Sequence, residues 1–332
     1  MAEGGARYDP GARAAGGSPG GDGTAAPAGD RARTALAGTR FADVRWVATT
    51  GSTNADAMAL ARDGAPEGIV VVADHQRAGR GRRNRTWVAP PGGSLLLSVL
   101  LRPPARVAGA VTMAAALAMA EAVERVAGVP ARLKWPNDLV VATADGERKL
   151  AGVLAEADWP AGSTISGGYR QPGPRDRMVV VVGIGLNVRW PGGPDPHPGD
   201  ADAVVPGGDV GRPSPDAGAA SEAGGEVAEV AGLATALNWL GADVDRVDLL
   251  VAFLRRLDER YATLVAAGAG DMLDDWRRRS ATLGRRVRVD LGADDVEGTA
   301  VDVTGEGHLV VDVLEGGRRT VAVGDVVHLR PA

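Results

Sequence analysis

The chain contains no cysteine. That excludes a disulfide framework, thiolate catalysis and every cysteine-ligated zinc or iron–sulfur centre. Histidine is nearly as scarce, with His75, His197, His308 and His328 the full set, so imidazole chemistry has few places to occur. Lysine is rarer still: of 37 basic residues only Lys134 and Lys149 are lysines. No apolar run approaches the roughly 20 residues that a bilayer-spanning helix needs. The first residues lack the basic head and apolar stretch of a secretion signal, so a cytoplasmic protein is expected. Acidic residues number 42, giving a net charge of -5. Neither nucleic acid nor membrane is therefore an expected partner.

Glycine and proline are abundant instead, at 48 and 21 of 332 residues, against an ordinary combined share of about an eighth. They are concentrated. Residues 1–40 hold 10 Gly, 11 Ala and 3 Pro with almost no large apolar side chains, a composition that predicts a disordered tail. Residues 159–177 and 190–225 share that character and are expected to be surface insertions. What is left suffices for a main domain over 41–280 and a small one over 281–332.

The rest alternates between strand and helix patterns. Val44–Ala48 reads as a strand and is followed by a helix that Ser52 or Thr53 can cap and Gly64 can end. Ile69–Ala73 and Leu95–Leu101 are continuous aliphatic runs, as in strands covered on both faces. Val107–Ala127 predicts a long Ala-rich helix closed by Gly128. Short strands follow at 131–135, 139–141, 150–155 and 179–182, then helical patterns at 227–240 and 247–267. From Arg285 the chain reads as about five short strands with Gly at the turns, a small β-barrel. The fold class expected is α+β.

The chemistry is concentrated in a few motifs. His75 to Trp87 carries Arg77, Arg80, Arg82, Arg83 and Arg85 with Gly79 and Gly81 between them. Glycines let backbone approach a ligand, and guanidinium forks grip phosphate oxygens in bidentate fashion. The run is not a dinucleotide fingerprint, because Asn84 stands where a Gly is needed and a strand follows. A solvated loop or a nucleic-acid patch is the plainer reading of such a run. Lys134 and Lys149 lie in Lys-Trp-Pro-Asn-Asp and Lys-Leu-Ala-Gly, where a compact point charge suits what a planar fork does not; arginine-favouring codon bias explains them equally well. Gly51-Ser52-Thr53-Asn54 can cap a helix or face a polar ligand. Gly183-Ile184-Gly185-Leu186-Asn187 ends a strand with accessible backbone, though glycine also marks bulges.

In this order, across residues 51–188, these motifs resemble the biotin-protein ligase family, also called biotin-[acetyl-CoA-carboxylase] ligase. The resemblance implies a class II aminoacyl-tRNA synthetase-like catalytic domain with a C-terminal SH3-like domain. It implies an ATP-dependent reaction with Mg2+, in which biotin is activated as biotinyl-5'-AMP and passed to a lysine of a biotin carboxyl carrier domain. By motif position, Lys149, Arg80 and Arg82 resemble the catalytic cations. Ser52, Thr53, Asn54, Gln76, Arg80, Gly81, Arg82 and Lys149 are similar to the biotin-binding set. Lys134, Asn137, Asp138, Gly183, Gly185 and Asn187 resemble the ATP side, with Asp138 toward the metal. Asn84 replaces a family glycine and is expected to take its left-handed backbone. The winged helix of the repressor-ligases is expected to be absent. Trp239 or Leu233 is a candidate to cover adenine, with a core role for Trp239 the plainer reading. A lipoate-protein ligase-like acyltransferase and a nucleic-acid module are the alternatives, and the sequence carries no signal for an oligomeric state.

Overall fold

The computed structural model describes residues 25–158, 164–165, 168–169, 173–191 and 234–328, apart from 145, 293–294, 314–315 and 323. Its centre is a seven-stranded mixed sheet in the order β1-β2-β3-β9-β6-β5-β4. These strands are β1 (Val44–Thr50), β2 (Val70–Gln76), β3 (Ser94–Leu101), β4 (Arg132–Lys134), β5 (Asp138–Thr143), β6 (Gly146–Asp158) and β9 (Val179–Asn187). A two-stranded ribbon, β7 (Thr164–Ile165) and β8 (Gly168–Tyr169), lies between β6 and β9 in the chain. β1 and β2 pair in parallel across helix α2 (Thr53–Arg62), and every other pairing in the main sheet is antiparallel.

Alternation along β3 decides which face carries what. Leu95, Leu97, Val99 and Leu101 enter the main core with the Ala-rich helix α4 (Val111–Ala127) and with α5 (Arg246–Ala267). Leu100 packs on the other side with Ala57, Met58 and Ala61 of α2. Ser98, fully buried between Leu97 and Val99, reaches the start of α2. The long helix expected over 107–127 begins instead as a short α3 (Ala105–Ala108) and resumes at Val111. Gly128 closes it at φ 67°, as the sequence implies. A helix α6 (Gly270–Arg279) follows α5, and the sequence reading had no counterpart for it.

Two expectations need correcting. Residues 25–35, placed in the disordered tail, form helix α1 (Ala25–Ala35) against β1; residues 1–24 lie outside the described residues. Alanine favours helix. The missing side chain at Gly29 lets the helix lie close to Trp46, since a Cβ there would stand 3.1 Å from the Trp46 Cβ. Ala32 and Leu36 are fully buried, and Arg33 donates to the Val44 carbonyl at 2.7 Å. The helix expected over 227–240 is likewise absent over its described part. Ala234–Ala236 is extended because Thr235 N–H donates to the Lys149 carbonyl at 2.8 Å, and only Leu237–Leu240 makes a 3-10 turn.

The expected insertions begin and end inside the packed structure. Trp190 is buried, with its Nε1 donating to Ser94 Oγ at 3.1 Å, while 192–233 lie outside the described residues. Gly173–Arg177 packs beside Pro103, with Ala105 N–H donating to the Asp176 carbonyl.

After α6, β10 (Arg286–Asp290), β11 (Asp295–Val303), β12 (Leu309–Val313), β13 (Arg318–Val321) and β14 (Asp325–His328) form an antiparallel sheet in the order β13-β12-β11-β10-β14. It is fastened to the main sheet at the Lys134-Trp135-Pro136 turn. Trp135 N–H donates to Thr282 Oγ1 at 3.0 Å, and Trp135 Nε1 to the Gly307 carbonyl at 2.9 Å. No described helix is long and apolar enough to cross a membrane.

Candidate active site

On the α2 side of the sheet a cavity of about 270 Å³ is lined by residues from every motif named above except Lys134. Chain geometry explains the convergence. The start of α2 contributes Ser52, Thr53 and Asn54, the end of β2 contributes Gln76, and β5, β6 and β9 bring Asp138, Lys149 and the two glycines. Lys134 lies off the cavity, directly opposite Asp138 in the β4–β5 pairing.

The floor is neutral and fully bonded on one side. Ser52 sits at the helix N-cap but makes no side-chain cap bond, so the capping expectation fails; the start of the helix is bonded from another strand instead. Gln76 Oε1 accepts from Thr53 N–H at 2.8 Å and from Thr53 Oγ1 at 3.1 Å. Ser98 Oγ donates to Asn54 Oδ1 at 2.6 Å and also lies 2.7 Å from Thr53 Oγ1. Asn54 Nδ2 donates to Glu156 Oε2 at 2.7 Å and to the Leu154 carbonyl at 3.4 Å. Ser98 and Glu156 were missed by sequence reasoning. Neither stands in a motif, and only the β3 and β6 alternation could have aimed them at this face.

Lys149 is the cation at the opposite wall. Its Nζ lies 2.7 Å from Asp138 Oδ1 and 5.3 Å from the centre of the Trp87 ring. The Lys149–Asp138 contact has ion-pair distance without hydrogen-bond alignment, so Oδ1 is buried beside a charge yet accepts no hydrogen bond. Asp138 is the one acidic side chain among the described lining residues. Asn137 is turned to the protein, its Nδ2 donating to the Val153 carbonyl at 2.7 Å.

The glycines serve side chains of the cavity wall. A Cβ on Gly183 would stand 2.1 Å from Asn54 Oδ1, and one on Gly185 would stand 2.4 Å from the Trp87 ring. Trp87 therefore lies flat against β9, with its Nε1 buried and without a hydrogen-bond partner among the described residues. Asn187 is buried: Oδ1 accepts from Ser94 Oγ at 3.3 Å, and Nδ2 donates to the Thr235 carbonyl at 3.0 Å. That amide pins Ala234–Ala236 across the back of Lys149. Trp239 packs edge-on against Trp190, its ring centre 5.9 Å away, and lies outside the cavity lining; Leu233 lies outside the described residues.

The arginine loop closes the remaining side. Trp87 N–H donates to the Gly79 carbonyl and Gly81 N–H to the Arg85 carbonyl, so the loop is a self-bonded turn. Arg80, Gly81, Arg82 and Arg85 line the cavity. Arg80 lies 3.6 Å from Glu156 Oε1, and Arg82 Nη1 donates to the Gly324 carbonyl at 3.1 Å. The left-handed residue is Arg83 (φ 53°, ψ 41°), not Asn84. This conformation costs a non-glycine residue roughly 1–2 kcal/mol. In that conformation Arg83 donates to Asp290 Oδ2 at 3.0 Å and to the Asp290 carbonyl at 2.8 Å.

Comparison with known proteins follows the same layout. Residues 47–164 match the Biotin/lipoate A/B protein ligase family, and residues 282–329 match the Biotin protein ligase C terminal domain. The biotin--[acetyl-CoA-carboxylase] ligase of Mycobacterium tuberculosis is 36% identical over 303 residues, covering 89% of this chain and 92% of that protein. The bifunctional ligase/repressor BirA of Bacillus subtilis is 28% identical over 80% of this chain and 68% of its own length. The biotin protein ligase of Aquifex aeolicus, solved in complex with biotin and ATP, shares the fold with a TM-score of 0.60 at 24% identity, over 88% of this chain and 100% of that one. On the identity and coverage of the Mycobacterium relative, the chain belongs to the biotin--[acetyl-CoA-carboxylase] ligase family.

Proposed function

We infer that the chain is an ATP-dependent ligase that activates biotin as biotinyl-5'-AMP and transfers it to a lysine of a biotin carboxyl carrier domain. The observation that carries this reading is the meeting, in one cavity, of a neutral amide floor with Lys149 and the arginine loop. A carboxylate is a poor acyl donor, so the first step joins it to the α-phosphate and releases pyrophosphate. Two anions must approach, and preorganised cations lower that barrier more than any other single feature.

The floor matches a ureido ring by hydrogen-bond count. Asn54 has both Nδ2 hydrogens engaged, so it offers only its oxygen; Gln76 Oε1 already accepts twice, so Gln76 offers its Nε2 hydrogens. A ring with N–H donors beside a carbonyl acceptor meets both. Lys149 then stands where the carboxylate and α-phosphate react, and Arg80 and Arg82 close over the adenylate. Gly185 and Asn187 shape the nucleotide side, Gly183 seats Asn54 in the biotin floor, and the orphaned Trp87 N–H suits a polar acceptor of the ligand. Mg2+ usually binds through one or two carboxylates plus substrate phosphates. Asp138, the one carboxylate among the described lining residues, would hold it in exchange for its ion pair with Lys149. Lys134 is a candidate for the outer phosphates.

The domain division at about residue 280, a catalytic unit of class II synthetase type and closure of the last five strands into an SH3-like barrel belong to the same reading, as does a cytoplasmic setting. Incubation with labelled biotin, ATP and a carrier domain tests it. Label should appear on one carrier lysine in an ATP-dependent manner. Transfer of lipoate in preference to biotin, or no product, would overturn it.

A further inference from the structure

Asn54 is the cavity residue whose hydrogen bonds are most fully accounted for, and the two side chains among its three partners belong to no recognised motif. Its amide can sit in two orientations of nearly equal shape, with oxygen and nitrogen exchanged. Only the neighbours can choose between them. Ser98, fully buried on β3, offers one hydroxyl hydrogen to Oδ1 at 2.6 Å. Glu156 on β6 offers a carboxylate oxygen, an acceptor only, to Nδ2 at 2.7 Å, and the Leu154 carbonyl takes the second hydrogen. Turning the amide over would set its oxygen against a carboxylate and a carbonyl; Ser98, donor and acceptor alike, can turn its hydrogen to Thr53 Oγ1 at 2.7 Å, so the choice falls to Glu156 and the Leu154 carbonyl. An unsatisfied buried polar group carries its full desolvation cost. Gly183 completes the seat, because any Cβ there would stand 2.1 Å from Oδ1.

We propose that Glu156 is a positioning residue that locks the Asn54 amide with only its oxygen open to the ligand, with Ser98 anchoring that oxygen, and so makes the cavity floor selective for a ligand N–H donor. The proposal deepens the biotin reading and rests on it for the identity of that donor, a ureido N–H. Glu156 also ties the floor to the loop, since its other oxygen lies 3.6 Å from Arg80. That pair is largely exposed, at 61% and 35% of the two side chains, and exposed pairs contribute little. The amide lock is the larger effect.

Three variants separate the lock from that loop contact and from a purely structural role. Glu156→Leu removes the acceptor and should raise the biotin KM about ten- to a hundredfold, as for a lost hydrogen bond to a charged group. The ATP KM and kcat should stay within about twofold. Ser98→Ala should raise the biotin KM by roughly two- to tenfold, the range for a neutral bond. Glu156→Gln keeps an acceptor oxygen and gives up the charge, so it should recover much of the loss and hold the biotin KM within about tenfold of that of the unaltered protein. If Glu156→Gln is as impaired as Glu156→Leu, charge or the Arg80 contact carries the effect and the lock is wrong. A biotin KM unchanged in Glu156→Leu sinks it as well.

A ligand-free measurement keeps this independent of the biotin reading. The Asn54 side-chain amide protons, assigned by their loss in Asn54→Ser, should be protected from solvent exchange in the unaltered protein and lose that protection in Glu156→Leu. Free exchange in the unaltered protein overturns the lock. Protection together with no biotin binding leaves the lock standing and overturns the substrate.

Discussion

Lys149 Nζ rests 2.7 Å from Asp138 Oδ1, so the lysine of the cavity is held by the one carboxylate among its described lining residues. An arriving anion competes with Asp138 for that charge, and removing the lysine leaves Asp138 unpaired to repel both substrates. Lys149→Ala should therefore lower biotin-dependent pyrophosphate release by about 10²- to 10³-fold, the usual effect of one preorganised partner. Lys149→Arg should not restore it, because the planar fork does not fit the compact position between Asp138 and the Trp87 ring. A near-normal rate in Lys149→Ala would remove the lysine from the chemistry.

Gly183 and Gly185 allow a paired test. A methyl group at Gly183 must displace Asn54, and one at Gly185 must displace the Trp87 ring, at separations of 2.1 and 2.4 Å. Each overpacking costs roughly 1–3 kcal/mol, which thermal melting should register. Kinetically the two should part: Gly183→Ala should raise chiefly the biotin KM, and Gly185→Ala chiefly the ATP KM, with a change in tryptophan fluorescence. Equal effects on both KM values would show that the two glycines serve strand packing alone.

The strands that carry these residues were legible because β3 and β9 are continuous aliphatic runs, buried on both faces whatever surrounds them. Lys149, Arg80 and Asn54 were legible because each stands in a compact motif. Helix α1 was not: its Ala and Gly residues look like linker until Trp46 supplies the surface they pack on. Ser98 and Glu156 were invisible for a related reason. A single polar residue in a strand takes its meaning from a partner 44 or 102 positions away. Arg83 rather than Asn84 adopts the left-handed turn, and its partner Asp290 is also remote in sequence.

Contacts of this kind make the loop and the C-terminal sheet one mechanical unit. Arg82 donates to the Gly324 carbonyl and Arg83 to Asp290. Arg82→Ala should release biotinyl-5'-AMP into solution faster than the unaltered protein, measured as free adenylate per pyrophosphate formed. Asp290→Asn weakens an exposed pair, and exposed pairs contribute little to stability. It should leave melting nearly unchanged while loop cleavage in limited proteolysis speeds up. Unaltered adenylate retention in Arg82→Ala would reduce the loop to a solvated edge.

His328 joins the two sheets beside Glu147, Arg285 and Thr282, with Nδ1 3.3 Å from Glu147 Oε2 and 3.2 Å from Arg285 Nη1. Burial first, then the positive charges of Lys134 and Arg285, push its pKa down from 6.5 to about 4, against an opposing pull from Glu147. The folded protein therefore holds this imidazole neutral where the unfolded chain protonates it. Because the unfolded state binds more protons between about pH 6.5 and 4, stability from this group is complete above that window and falls as pH drops through it. Melting temperature should decline across the window more steeply in the unaltered protein than in His328→Gln, which has no proton to take up there. Parallel pH profiles for the two proteins would mean that His328 titrates alike folded and unfolded, and that the junction does not exclude its charge.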